Sequence, residues 1–216
     1  MSGAVWDKVA PFFEQKTKKR SLRPQFLIVF VAGIAFALDM GAVYVTMDEA
    51  VSVYGPILII LMIAYTITPI IVWFLMAFGV YFIGRVVGAR ISFGVFFRTA
   101  GWGMVPMIGV GSLMAAGRYL TLSSKEACDH PAVTCDLGAY VELQAQVNGV
   151  YGFASTATGE PVFQAAFTAS LLLLSLVGYL WVVAAEESTT LTRAGATIAV
   201  GIPLSLVAGG FVALTL

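Results

Sequence analysis

Charge is scarce in this sequence. Only 11% of the 216 residues are Asp, Glu, Lys or Arg, against about 25% in soluble domains, so a soluble fold would have too few ionic groups to clothe its core. Twelve basic and twelve acidic residues cancel to a net charge of zero, which removes the electrostatic footprint of a nucleic-acid-binding protein. Histidine occurs once, at His130, and cysteine twice. The HExxH, GxSxG and GxxxxGK[ST] motifs are all missing. Intramembrane proteolysis by an aspartyl pair would need two carboxylates inside the membrane, and Asp39 alone is available. No catalytic constellation or cofactor is implied, and the chain reads as non-enzymatic. Long linkers and low-complexity tracts are also lacking, so residues 1–216 read as one domain.

What fills the chain is hydrocarbon: 59% of the residues are hydrophobic. A bilayer core about 30 Å thick takes roughly 20 apolar residues per helix, and five segments qualify, at about 25–46, 56–84, 94–122, 162–185 and 194–216. They are continuous apolar runs, unlike the short alternating strands of a barrel, and helices satisfy their own backbone groups as lipid demands. The expected fold is all-α, a polytopic bundle of five transmembrane helices. The second span would reach about 43 Å at 1.5 Å per residue, so it tilts or bends at Thr68-Pro69. In the third, Gly101, Gly103, Gly109 and Gly111 surround Pro106, a pattern that predicts a kinked, closely packed helix. Ala35-Phe36-Ala37 offers a signal-cleavage pattern, but the 24 residues before the apolar run favour an uncleaved anchor.

Basic residues sort to one side. Lys8, Lys16, Lys18, Lys19, Arg20 and Arg23 precede the first span, Arg85, Arg90 and Arg98 fall around the second connection, and Arg193 precedes the last span. Only Arg118 and Lys125 belong to the other side. Ten against two predicts an N-terminus inside and a C-terminus outside. Lys16, Lys18, Lys19, Arg20 and Arg23 then meet the anionic inner leaflet. Trp6, Val9 and Phe13 follow helical spacing, with Phe12 beside them and lysines alongside, which predicts an interfacial helix over residues 5–20 within a cytoplasmic segment 1–24.

The outer loop, 123–161, is the one sizeable segment outside the spans. Tyr140, Leu143, Val147 and Val150 recur at helical spacing, and Asn148-Gly149 is the expected stop. The helix would lie on the outer surface or cap the bundle. Cys128 and Cys135 sit in the same loop and, on the oxidising side, suggest one disulfide. His130 lies between them, but a structural zinc site prefers tighter cysteine spacing and more sulfur, so no metal site is assigned.

Inside the spans, Asp39 stands out, because a carboxylate at that depth faces the bundle or a cavity. Arg118, on another outward-running span, is its expected partner. The two read as a structural ion pair, or alternatively as a gate or a proton or cation site. Gly33, Ala37 and Gly41 in the first span and Gly201, Ser205 and Gly209 in the fifth repeat at intervals of four, a spacing that lets helix backbones approach closely, within one chain or in a homo-oligomer.

Several stretches share a pattern: Pro11-Phe12-Phe13-Glu14 and Ser21-Leu22-Arg23-Pro24 before the first span, Ile91-Ser92-Phe93-Gly94 through Trp102-Gly103-Met104-Val105-Pro106 at the third, and Glu186-Glu187-Ser188, Arg193-Ala194-Gly195-Ala196 and Ile202-Pro203 around the last two. The chain resembles the Yip domain family, named for Ypt-interacting proteins, and especially its short prokaryotic and archaeal members. The resemblance implies a small multi-pass protein of the cell membrane without enzymatic activity. Eukaryotic relatives are associated with Rab-type GTPases. Tyr54-Gly55-Pro56 echoes an element of theirs but lacks the preceding aspartate, so GTPase binding is not carried over. The expected function is a membrane scaffold, adaptor or membrane-organising protein that meets the lipid bilayer and a membrane-protein partner or another copy of itself. The alternative is a small transporter or channel for an ion or small solute, using Asp39 and Arg118.

Overall fold

A computed structural model describes residues 9–15, 21–135 and 142–215. Its described residues build seven helices of ten residues or more: α1 (Arg23–Thr46), α2 (Val51–Val86), α3 (Phe93–Trp102), α4 (Val105–Leu122), α5 (Leu143–Ser155), α6 (Pro161–Ser188) and α7 (Arg193–Thr215). Single 3₁₀ turns lie at Asp48–Ala50 and Ala127–Asp129. Among the described residues, five helices are long and apolar enough to cross a membrane: α1, α2 with the turn before it, α4, α6 and α7.

The starts of these helices are encoded locally. Pro24, Pro106 and Pro161 occupy the first turns of α1, α4 and α6, where a missing N–H loses no intrahelical bond and the fixed φ suits the helix. Pro106 also accounts for the break between α3 and α4, because it cannot donate to the carbonyl four residues back. The chain turns at Gly103-Met104, with Gly103 N–H bonded to Ala100 O at 2.9 Å. The Trp181 indole donates a second bond to the same Ala100 carbonyl, at 2.8 Å. The third apolar segment is therefore two helices, of which only α4 has spanning length. Thr68-Pro69, by contrast, interrupts nothing. Over 36 residues α2 is one continuous helix, about 54 Å long, so it must tilt or project beyond a hydrocarbon core of about 30 Å.

The centre of the bundle is α1 and α4, with 56% and 50% of their most apolar stretches buried, against 17% for α7. α1 packs on α2 and α4, and α4 on α6, while α7 bridges α2 and α6 from outside. Two glycines set the central spacing. A Cβ on Gly111 would lie 2.6 Å from the backbone of Ala35 and Phe36, and one on Gly33 would collide with the carbonyl of Thr66. Only glycine lets these backbones cross so closely.

Two apolar clusters form the core. One, at the end bearing the α2–α3 and α6–α7 connections, contains Phe13, Trp73, Phe96 and Trp181. The other, at the end bearing the cystine, contains Met40, Tyr54, Phe153 and Phe163. At the first end the α2–α3 and α6–α7 connections clasp each other. Arg90 N–H donates to Thr190 Oγ1 at 2.8 Å, and Ile91 pairs with Thr189.

Residues 9–15 are helical, Phe13 is 1% exposed in the first cluster, and Phe12 meets Trp102 edge-on at 5.6 Å. The rest of the expected interfacial helix, including Lys16, Lys18, Lys19 and Arg20, lies outside the described residues, as does Tyr140.

The loop helix corrects a further expectation. Asn148-Gly149 does not end the loop helix: α5 runs on to Ser155. Gly149 lies inside the helix because Tyr54 crosses there, with its ring 2.6 Å from where a Cβ would be. Packing against α2, and not a stop signal, requires the glycine.

Candidate functional site

A carboxylate and a guanidinium inside an apolar bundle are costly unless each satisfies the other. α1 presents Asp39 and α4 presents Arg118, 5% and 6% exposed. Arg118 Nε donates to Asp39 Oδ1 at 2.7 Å. Arg118 Nη1 donates to the carbonyl of Ala154 in α5 at 2.9 Å, and the guanidinium lies 5.1 Å from the centre of the Phe163 ring at the start of α6. One side chain thus ties four helices at the cystine end. The aromatic face adds cation–π attraction in a desolvated setting.

Below this pair the bundle encloses a cavity of about 430 Å³, bordered by α1, α2, α4, α6, α7 and Tyr151 of α5. It opens where the two core clusters meet. Phe36, Met107, Val110 and Leu174 come from one cluster and Met114 from the other. Its polar groups collect at one end, where Asp39, Arg118 and the neighbouring hydroxyls of Tyr65 and Tyr151 lie together. The cavity follows from the way α7 is seated. Its first turns are held by Ala196, Ala199 and Val200, each 0–1% exposed, and from Gly201 to Ala213 no residue is fully buried. Sequence reasoning did not find this cavity or its tyrosines, because nothing in the periodicity of α2 or α7 distinguishes a wall from a packed face.

Cys128 and Cys135 are joined by a disulfide, with Cα atoms 5.7 Å apart. The bond occupies both thiols that a metal site would have used. His130 Nδ1 accepts from Ala132 N–H at 3.2 Å. Tyr54, 1% exposed, accepts a hydrogen bond from Thr134 N–H at 2.9 Å, so this residue of the Tyr-Gly-Pro element anchors the cystine loop. Lys125 and Glu160 pair at 2.8 Å on the surface nearby.

The two small-residue stripes have different surroundings. Gly33 and Ala37 are buried in the contact of α1 with its neighbours, and a Cβ on Gly41 would meet Met62 Cε at 3.7 Å. Gly201, Ser205 and Gly209 all face outward, and nothing lies within 4 Å of a Cβ at either glycine. The expected contact of this stripe within the chain is not present among the described residues. Arg23 opens α1 at the opposite end from the ion pair.

Five spanning helices, outward apolar faces and a buried ion pair define a multi-pass helical membrane protein in contact with lipid. The family model described as the Yip1 domain matches residues 4–215, and the chain belongs to that family. No curated protein and no solved structure matches it.

Proposed function

We propose that this chain is a non-enzymatic scaffold or adaptor of the cell membrane, with its N-terminus inside and its C-terminus outside. The observation that carries this reading is the closed state of the Asp39–Arg118 pair. Both charges are neutralised by each other, the arginine is held again by Ala154, and apart from Tyr65, Thr68 and Tyr151 the rest of the cavity wall is apolar. A conduction or proton path needs water and a group free to change partners, and this pair is built as a staple. Five spans also do not divide into the equal inverted halves common in secondary transporters.

Three further features support the reading. Ten of the twelve basic residues sort to one side of the spans, which favours N-inside and a basic face on the anionic leaflet. The helical stretch at residues 9–15, with Phe13 docked on the bundle, suits an interfacial segment. The outward Gly201-Ser205-Gly209 stripe offers a close-packing surface to another membrane helix.

The test places photocrosslinking residues at Leu172 and Ile202, both outward-facing, in native membranes, alongside a flux assay in liposomes across ions and small solutes. A scaffold gives discrete protein adducts and no flux. Reproducible flux that Asp39→Asn abolishes, at unchanged thermal stability, would replace this reading with the transporter.

A further inference from the structure

We propose that the cavity beneath α7 binds a membrane amphiphile: a single hydrocarbon chain carrying an uncharged hydroxyl head, as in a long-chain alcohol. At about 430 Å³ the cavity falls within the usual range for small-molecule sites, which are mainly apolar with a few convergent polar groups. The walls select the tail. Away from the polar end the lining is Phe36, Val72, Leu75, Met107, Val110 and Leu174, a surface that favours hydrocarbon over water.

Access selects a lipid. Leu75 of α2 and Leu206 of α7 line the cavity and are also 55% and 75% exposed, so in a bilayer the border between these two helices faces acyl chains. Tyr65, Thr68 and Leu75 lie near the middle of α2, at hydrocarbon depth. A ligand therefore arrives sideways from the bilayer and is already partitioned there.

The polar end selects the head. Two of the three Arg118 nitrogens bond within the fold, Nε to Asp39 Oδ1 and Nη1 to Ala154 O. Among the described residues, Nη2 and Asp39 Oδ2 make no hydrogen bond, and both residues line the cavity. A spare donor beside a spare acceptor matches a hydroxyl, which accepts from one and donates to the other. The Tyr65 and Tyr151 hydroxyls border the same place, and the second lone pair of the ligand oxygen accepts from the Tyr65 hydroxyl. A charged head does not suit it. The ion pair is already neutral, so a carboxylate or ammonium would enter as an unpaired buried charge.

The experiment reconstitutes the full chain in phosphatidylcholine vesicles with a diazirine-bearing cetyl alcohol, irradiates, and maps adducts by mass spectrometry. Adducts are expected on α2 and α7 residues bordering the cavity, and unlabelled cetyl alcohol displaces them at least about fivefold better than hexadecane, as one lost hydrogen bond implies, and better than palmitate, whose carboxylate would be buried unpaired. Val207→Trp, which narrows the cavity from α7, reduces these adducts, whereas Ile60→Trp on the outer face of α2 leaves them unchanged. Tyr65→Phe keeps the volume and the ion pair and weakens displacement by the alcohol by about fivefold; it carries the test if Val207→Trp fails to fold. Adducts spread evenly around the bundle, or undiminished in a folded Val207→Trp protein, overturn the site. Hexadecane or palmitate competing as well as the alcohol overturns the assigned head.

Discussion

Tyr54 and Thr134 are 80 residues apart and joined by one hydrogen bond, from the Thr134 N–H to the tyrosine hydroxyl at 2.9 Å. The first turn of α2 thereby holds the loop that the cystine closes. Tyr54→Phe leaves the ring against Gly149 and strands the N–H, at a cost of about 1–2 kcal/mol. The expected result is faster hydrogen exchange in residues 123–135 with little change in α1 or α6, read by mass spectrometry.

Breaking the Asp39–Arg118 pair on one side should destabilise far more than removing both charges. Asp39→Asn leaves a buried guanidinium without its counter-charge, which costs about 3–5 kcal/mol. Asp39→Leu combined with Arg118→Met replaces the pair by apolar groups and recovers most of that loss. Thermal unfolding in detergent of the two single variants and the double variant decides it. A double variant as unstable as the singles would mean that the bond to Ala154, and not the pair, holds this end together.

The two glycine stripes should respond in opposite ways. Gly33→Leu drives a side chain into the Thr66 carbonyl and separates α1 from α2, an overpacking penalty of about 1–3 kcal/mol. Gly209→Leu meets open space and leaves the midpoint of thermal unfolding of the monomer within error of the parent. If Gly209→Leu alters migration on native gels without altering the unfolding midpoint, the stripe lies in an interface between chains.

Reduction offers a fourth test. Alkylation of the untreated protein should label neither Cys128 nor Cys135, and alkylation after reduction should label both. Closing a loop this short stabilises by roughly 2–3 kcal/mol in the chain-entropy model, so the reduced protein should unfold at a lower temperature. With Tyr54 still in place, the loss concentrates in the segment around Ala127 and Val133, which are buried beside the cystine.

Much of the architecture was legible because lipid restricts the options. Apolar runs of spanning length have one local solution, and five such runs became five spanning helices. The paired cysteines were readable because nothing else in the chain competes for them. Asp39 and Arg118 stood out because ionisable groups are rare in such runs. The bond from Arg118 to Ala154 and its approach to Phe163 were not readable, since they depend on where α5 comes to rest. Gly149 was misread for the same reason. A glycine after an asparagine signals a helix end locally, and only Tyr54, arriving from α2, gives it another purpose. The outward face of Gly201, Ser205 and Gly209 was likewise hidden, because spacing specifies a stripe without saying which neighbour it meets.

The placement of the two buried charges on different helices has a consequence for biogenesis. On insertion scales an Asp or Arg at the centre of a span is unfavourable by about 2.5–3.5 kcal/mol, an upper bound for Asp39 and Arg118, which lie in the later parts of α1 and α4. α1, at a mean hydropathy of 2.4, can bear that burden, while α4, at 1.2, is the least apolar of the five. α4 should therefore enter the bilayer poorly when synthesised alone and well when α1 is already there to offer a counter-ion. A glycosylation-mapped insertion assay of α4, with and without a preceding α1 bearing either Asp39 or Leu at that position, measures this dependence. The ion pair would then serve as a checkpoint on nascent-chain assembly, through which an early helix admits a later one to the membrane.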